Sequence, residues 1–478
     1  MTTAAPSPRT IFAFWVPLSL QWIMMALEHP FLAAVIARLA DPTFNLAAYG
    51  VAFAVAILIE SPVIMLMSAS TALVEDARSY LKLRAFAWLL NVLSTALLCL
   101  VLVPAVFRAL TGTLLGLPEE VAALVYGSLW ILLPWPAAIG YRRFVHGVLI
   151  RAGRTRRVAY GTATRLGTMA ATGLILASLE LPGAWVGAGA LAGGVVVEAV
   201  VAFLLSRDVV RAVVNEDLDP ARFQVQPVEQ RVYPGRSARV GEGSARARSA
   251  GGPHRAGPVK VDGASLEDGE LGFHAIASFY YPLALTSLIG LTTQPLLTFF
   301  MGRAPAPVES LAVFPVVMAL YFLFATFGLS YQEAAIALLG RQGEHRRPLG
   351  RFALGLAATA SGSLALLAFT PLARVWFEAI SGLTPELAAL AFVPAQIIAV
   401  GPALTVLTGF QRALLVQARR TRPITLATAL EISLIAALFP ILGWGMGWMG
   451  VTAAMGALVT GRMAGALFLF SQVRRVYG

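Results

Sequence analysis

Twelve long apolar runs dominate this sequence, and they decide what the chain can fold into. A helix needs about 20 apolar residues to cross the hydrocarbon core of a bilayer. The runs are continuously apolar and do not alternate with polar residues, which favours helices over a β-barrel. Of the 478 residues, 58% are hydrophobic and only 13% are charged, whereas a soluble domain has about 25% charged residues. The sequence predicts an all-α polytopic membrane protein and excludes a soluble enzyme. The predicted spans are 11–37, 46–73, 84–110, 120–150, 157–179, 184–207, 272–301, 309–340, 351–377, 386–418, 424–442 and 446–473.

Basic residues lie on alternate connections between these spans. They follow the second, fourth, eighth and tenth spans, while the opposite connections carry acids. Because cytoplasmic loops are enriched in Arg and Lys, we predict a multi-pass protein of the cell inner (plasma) membrane with both termini cytoplasmic. The basic connections contain Arg78, Lys82, Arg84, Arg151, Arg154, Arg156, Arg157, Arg341, Arg346, Arg347, Arg351, Arg419, Arg420 and Arg422.

The composition changes abruptly between the sixth and seventh spans. Residues 211–271 are rich in Arg, Gly, Pro and Ser, a composition that cannot bury a core. We predict a basic, disordered cytoplasmic linker between an N-terminal six-helix lobe over 1–210 and a C-terminal six-helix lobe over 272–478. A patch on this linker that binds anionic lipid or nucleic acid is the sharper alternative. The net charge of +11 is mainly explained by cytoplasmic loops, so we expect membrane lipids and no nucleic acid as partners, and a monomer.

The two sides of the linker repeat each other. A residue of the N-terminal half matches the residue 265 positions later in the first part of the half, and 266 positions later further along. Chance agreement is common among apolar residues but rare at Pro and Arg. Because each half has an even number of spans, both lobes have the same orientation and enclose a central cleft, which favours a transporter that works by alternating access. The matching pairs include Pro17 with Pro282, Pro30 with Pro295, Arg38 with Arg303, Pro42 with Pro307, Arg154 with Arg420, and Arg156 with Arg422.

Several stretches of both lobes resemble the MATE/MOP superfamily of exporters and flippases, and within it the progressive ankylosis (ANK) family. They are residues 16–18, 48–53, 146–149, 281–285 and 294–303. The resemblance implies a MATE-like fold and a secondary-active transporter that exports a small organic or phosphate-containing anion, such as pyrophosphate, citrate or a nucleotide. In the family pattern an Arg precedes the proline that matches Pro295, whereas Gln294 stands here. Gln294 is therefore a candidate site residue at which the positive charge of the family is missing.

Charged residues inside the spans are candidates for substrate or ion binding, because a charge at the bilayer centre costs at least about 2.5–3.5 kcal/mol. Glu28 and His29 directly precede Pro30, which interrupts the hydrogen bonding of the first span. Glu60 lies within the second span. A carboxylate beside a broken helix can bind Na⁺ or exchange a proton, and the alternative is a structural kink where Glu28 pairs with His29. We predict hinges at Pro30 and at its counterpart Pro295.

A group of basic side chains lies two to three turns from the cytoplasmic ends of the fourth and tenth spans. Arg142, Arg143 and His146 belong to the fourth span and Arg412 to the tenth. Because Arg binds phosphate and carboxylate through paired hydrogen bonds, they predict an anion-binding vestibule. The alternative is that they extend to the lipid headgroups.

Two pairs of opposite charge occupy equivalent or nearly equivalent positions of the repeat. They are Glu198 with Arg462 and Arg165 with Glu431. We predict that they form ion pairs between the lobes that break and form again during transport. The alternative is that the pairs are static and structural.

Three functions are open from these residues. The first is the anion exporter, and the second is an H⁺- or Na⁺-coupled multidrug or cation exporter of the MATE type that uses Glu28, His29 and Glu60. The third is a flippase of a lipid-linked substrate. No enzyme, metal site or other cofactor is predicted, since the histidines are scattered, Cys99 is the only cysteine and no phosphate-binding loop is present.

Overall fold

The computed structural model describes residues 6–215, 272–340, 343–418, 420 and 422–477, which form helices and no strands. The predicted linker lies outside the described residues, apart from 211–215 at the end of a helix. In the N-terminal lobe the helices are α1 (Pro8–Ala26), α2 (Glu28–Ile36), α3 (Pro42–Glu60), α4 (Leu66–Leu73), α5 (Ala77–Val101), α6 (Pro104–Arg108), α7 (Glu119–Ile131), α8 (Trp135–Arg151), α9 (Thr155–Ala177) and α10 (Gly183–Val214). In the C-terminal lobe they are α11 (Phe273–Leu291), α12 (Thr293–Met301), α13 (Pro307–Leu338), α14 (Arg346–Phe369), α15 (Leu372–Arg374), α16 (Pro385–Ile398), α17 (Gly401–Gln417), α18 (Arg422–Phe439) and α19 (Gly450–Tyr477). Three π-helical segments complete the fold, namely π1 (Ala109–Leu114), π2 (Val375–Ile380) and π3 (Pro440–Gly445).

The helices are those of a multi-pass membrane protein. Among the described residues, ten spans are long and apolar enough to cross a membrane, and the pair α7 and α8, bent by 42°, makes an eleventh. The predicted fifth span is the 23-residue helix α9, which is less apolar because it carries Arg156, Arg157 and Arg165. The all-α fold class is therefore confirmed, and the predicted count of twelve agrees roughly with the spans found.

The first span of each lobe is interrupted three residues before a proline. The interruptions lie at Leu27 and at Thr292, between α1 and α2 and between α11 and α12. Pro30 and Pro295 have no N–H to donate to the carbonyl four residues earlier, so the helical hydrogen bonding is broken there. Their action as hinges stays a prediction.

Other local features recur at the same spacing in both lobes. Asp41 and Ala306, which precede α3 and α13, both have a left-handed backbone with φ of 49°. The segments π1 and π2 also correspond, and each is followed by a left-handed glycine, Gly116 or Gly382. The second spans differ, because α3 ends at Glu60 and α4 begins at Leu66, whereas α13 continues unbroken. The N-terminal lobe thus has an extra irregular turn, at Ser61-Pro62, beside a buried carboxylate.

The first half-helix of each lobe packs against the other lobe. From α1, Trp15 donates from Nε1 to Ser330 Oγ of α13 at 2.9 Å. From α11, the Tyr280 hydroxyl donates to the carbonyl of Pro62 in the irregular turn. The lobes also meet directly where α3 crosses α13, and there a Cβ at Gly50 would lie 3.4 Å from Pro315 Cγ. These contacts join the two lobes.

Candidate functional site

A chain of buried ion pairs lies inside the N-terminal lobe. Arg142 of α8 donates to Glu198 of α10 at 2.6 Å, and both side chains are buried. The Nε of Arg165, on α9, lies 3.4 Å from the same Glu198 carboxylate, and its Nη2 donates to Glu28 at the start of α2. Because each charge faces an opposite charge, the cost of burying them is partly offset. We call Glu28, Arg142, Arg165 and Glu198 the N-lobe charge network.

Local packing explains how α8 brings its charges to this network. Gly140 and Gly147 lie on α8 against Asn91 of α5 and Ser70 of α4, and a Cβ at either glycine would meet these side chains at 1.8 Å. The missing side chains let the helices approach closely, as small residues do in membrane helix packing. This close approach turns the opposite face of α8, with Arg142, toward α10.

Glu60 and Arg143 lie next to the network but form no ion pair with a described residue. The Glu60 side chain is buried and its Oε2 has no hydrogen-bond partner. Arg143 is half-buried and its Nε has no partner either. The two groups interact electrostatically but form no ion pair. A carboxylate and a guanidinium that form no ion pair with a described residue therefore lie beside the N-lobe charge network.

The two predicted histidines are placed apart. His29 packs edge-on against Phe53, with ring centroids 4.9 Å apart. His146 is buried on α8, and its Nε2 has no hydrogen-bond partner. The alternative that Glu28 pairs with His29 is wrong, because the carboxylate of Glu28 reaches Arg165.

The C-terminal lobe holds a smaller charged cluster. Arg462 of α19 lies 3.2 Å from the carboxylate of Glu431 in α18. Arg462 also donates to the hydroxyl of Tyr321 and stacks over its ring, with the guanidinium carbon 4.9 Å from the ring centre. The Tyr321 hydroxyl is within 2.8 Å of Thr405 Oγ1. We call Tyr321, Thr405, Glu431 and Arg462 the C-lobe cluster.

Arg412 of α17 lies near this cluster but is not neutralised by it. It is half-buried, its Nε lacks a hydrogen-bond partner, and it makes no ion pair with a described residue. Glu431 acts on it only electrostatically. Gln294 of α12 is also half-buried, and no hydrogen bond from its side chain to a described residue is found.

The prediction of charge pairs between the lobes is wrong. Glu198 pairs with Arg142 and Arg165 in its own lobe, and Arg462 pairs with Glu431 in the other. Equivalent repeat positions share a depth in the membrane, but depth does not decide which neighbouring helix a side chain faces. The alternative of static pairs between the same residues is not observed either, because each of the four side chains pairs within its own lobe.

The basic group of the fourth span is divided between two environments. Arg142 does not extend to the headgroups, because it is buried and bound to Glu198. Arg143 and Arg412 form no ion pair with a described residue, as an anion vestibule requires. Sequence reasoning missed Tyr321 and Thr405, since neutral polar residues are common in membrane spans and nothing in their spacing marks them.

Comparison with known proteins supports the fold. No protein-family model and no curated protein matches the sequence, but solved structures do. An inward-facing multidrug resistance MATE family transporter of the MOP superfamily superposes with a TM-score of 0.70 at 15% identity, over 96% of this chain and 97% of that one. The lipid II flippase MurJ in an inward closed conformation gives a TM-score of 0.66 at 13% identity, over 96% and 87% of the two chains.

The chain has the fold of the MATE/MOP transporters. A third similar structure is a MOP superfamily transporter from Pyrococcus furiosus Vc1, whose description states that the reversed polarity of its binding pocket suggests a different function. It gives a TM-score of 0.61 at 15% identity, over 100% of this chain and 98% of that one. At such identities the likeness concerns the fold alone, and the finer resemblance to the ANK family stays a prediction.

Proposed function

We propose that this protein is a secondary-active transporter that exports a small organic or phosphate-containing anion by alternating access. The observation that carries the proposal is a pair of half-buried arginines that form no ion pair with a described residue, Arg143 in one lobe and Arg412 in the other. An uncompensated charge in the low-dielectric interior costs stability. Charged residues that are buried at such a cost, without a structural ion pair, are typical of ligand sites.

The chemistry of arginine suits this substrate class. A guanidinium binds carboxylate or phosphate through two parallel hydrogen bonds, and one arginine on each lobe would let an anion contact both halves of the cleft. Glu198 and Glu28 are bound in the N-lobe charge network and Glu431 is bound to Arg462. Glu60 acts electrostatically on Arg143 but forms no ion pair with it, so the guanidinium of Arg143 stays open to an anion.

The test is transport in proteoliposomes with labelled citrate, pyrophosphate and ATP, against a cationic dye, with and without a pH gradient. We expect anion movement that falls by about tenfold or more in Arg143→Gln and in Arg412→Gln, because each loses a charge-assisted contact of about 1.5–3 kcal/mol. Arg351→Gln removes the same charge from an exposed position of α14 and should transport normally.

The same variants separate a binding role from a structural one. Because neither arginine forms an ion pair with a described residue, their replacement by Gln should leave the thermal unfolding temperature unchanged or raise it. Lost transport together with a lowered unfolding temperature would mean that these residues hold the fold, and would contradict their assignment to the substrate.

A cation exporter driven by a proton gradient is the second candidate, and Glu60 favours it. This carboxylate is buried with an unpartnered Oε2, a setting in which a carboxyl group can take up and release a proton. Movement of the dye that needs the pH gradient and disappears in Glu60→Gln, with no anion movement, would replace the anion proposal by this one.

A further inference from the structure

Two arginines reach across the lobe interface in opposite directions. Arg38, which follows α2 in the N-terminal lobe, donates from Nη2 to the carbonyls of Ala379 and Ile380 in π2 at 2.7 and 3.0 Å. Arg303, which follows α12 in the C-terminal lobe, donates from Nη2 to the carbonyl of Thr113 in π1 at 2.5 Å and from Nη1 to the carbonyl of Leu114. Arg38 and Arg303 are 265 residues apart. Their acceptors are 266 residues apart, Thr113 matching Ala379 and Leu114 matching Ile380, so the repeat makes the same contact twice.

The π-helical ends leave these carbonyls free for an arginine. After π1, Leu115 N–H bonds to the carbonyl of Leu110 and Leu117 N–H bonds to that of Thr111, with the left-handed Gly116 between them. The wide turn therefore bypasses the last two carbonyls of the segment, at Thr113 and Leu114. Helix C-termini carry partial negative charge and attract cations, and unpaired terminal carbonyls need a donor.

The second π segment ends in the same way. Ser381 N–H bonds to the carbonyl of Trp376 and Leu383 N–H to that of Phe377, on either side of Gly382 with φ of 74°. A Cβ at Gly382 would lie 2.7 Å from Arg38 Nη1. The glycine thus supplies both the left-handed turn and the space that the guanidinium occupies.

Other arginines of the same segments make no such crossing. Arg108 and Arg374 are themselves repeat equivalents at the starts of π1 and π2, yet Arg108 bonds to the carbonyl of Pro104 and Arg374 pairs with Glu378. Both contacts stay within one helical stretch. The crossing contacts of Arg38 and Arg303 are therefore a property of these two positions and not of any arginine near a π-helical end.

We propose that Arg38 and Arg303, with the four carbonyls that they bind, form a latch that holds the lobes together on this face and is released when the cleft opens there. Because basic residues are concentrated on the connections at the opposite face, we predict that this face is the extracellular one. Both arginines are exposed, so each contact stabilises the closed state only modestly. A contact that is broken and formed again in every transport cycle must be weak. The proposal holds for any substrate, and its test needs none.

The experiment measures the distance between the lobes by double electron–electron resonance on the full chain in lipid nanodiscs. Cys99 is replaced by Ser, and spin labels are placed at Glu120→Cys and Glu386→Cys, exposed repeat-equivalent positions near the latch. We expect a single short-distance population in the parent. In Arg38→Ala and in Arg303→Ala a second population at longer distance should appear, and the ratio of closed to open molecules should fall by about threefold to tenfold. In the double variant Arg38→Ala/Arg303→Ala the two reductions should multiply.

Matched variants decide the outcome. Arg108→Ala/Arg374→Ala removes the same two charges from the same face and should keep the parent distribution. Arg38→Lys/Arg303→Lys keeps the charge without the two-pronged donor and should give an intermediate shift; it also serves if the alanine variant does not fold. An unchanged distribution in folded Arg38 and Arg303 variants, or an equal shift in the Arg108 and Arg374 control, would overturn the latch.

Discussion

Replacing Glu198 by Gln should lower the free energy of unfolding by about 3–5 kcal/mol, the cost of leaving a buried charge without its partner. The Glu198 side chain is fully buried and is bound to Arg142 and to Arg165. Arg165 keeps Glu28 after the substitution, but Arg142 loses the acid that compensates its buried charge. Reversible unfolding by SDS in mixed micelles measures the change.

Two further variants test this explanation. Adding Arg142→Gln to Glu198→Gln removes the orphaned charge and should recover part of the loss. Glu431→Gln, in the other lobe, should cost only about 1 kcal/mol, because its side chain and that of Arg462 are 18% and 25% exposed and Arg462 keeps Tyr321. Equal small losses in Glu198→Gln and Glu431→Gln would show that the N-lobe charge network contributes little to stability.

Gly147→Ala should destabilise the protein by about 1–3 kcal/mol, as overpacking of a tight core does. The added Cβ would lie 2.4 Å from the backbone carbonyl of Met67 and 1.8 Å from Ser70 Oγ. A backbone atom cannot rotate away, so α4 and α8 must separate. Since α8 carries Arg142, the displacement should also weaken the bond to Glu198. Thermal unfolding in detergent measures the loss.

A second glycine offers the control for this effect. Gly167 lies in α9, and nothing lies within 4 Å of the Cβ it would gain. Gly167→Ala should therefore be neutral or stabilise α9 by up to about 1 kcal/mol, the helix propensity difference between the two residues. A loss in Gly167→Ala as large as that in Gly147→Ala would argue against close packing as the cause.

Much of the fold follows from local sequence signals. The apolar runs predict the spans because the bilayer demands a minimum length of apolar helix. Pro30 and Pro295 predict the interruptions at Leu27 and Thr292 because proline removes a backbone donor. The repeated Pro and Arg positions anticipate features that recur in three dimensions, although matching Arg38 with Arg303 did not reveal that each would bind the opposite lobe.

The sequence predicted the charged members of the candidate site, but not Tyr321 and Thr405, and not which residues pair with one another. Glu28, Glu60, Arg142, Arg143 and Arg412 are recognisable in the sequence because ionisable residues in a span are costly and therefore rarely incidental. Depth along a span follows from counting residues, but the neighbour of a side chain depends on how each helix is rotated about its axis and which helix packs beside it. For that reason Glu198 was expected to meet Arg462 across the lobes and instead meets Arg142.

The sequence by itself determined that this is a multi-pass helical membrane protein with charged side chains buried in its spans, because hydropathy and backbone chemistry are local properties. Only the tertiary structure decided which charges neutralise one another, which of them stay unpaired, and which arginines join the lobes. Those outcomes depend on contacts between residues far apart in the chain, such as Arg165 with Glu28 and Arg38 with Ile380. The close approach of helices that creates these contacts is a property of the packed lobes, not of any one segment.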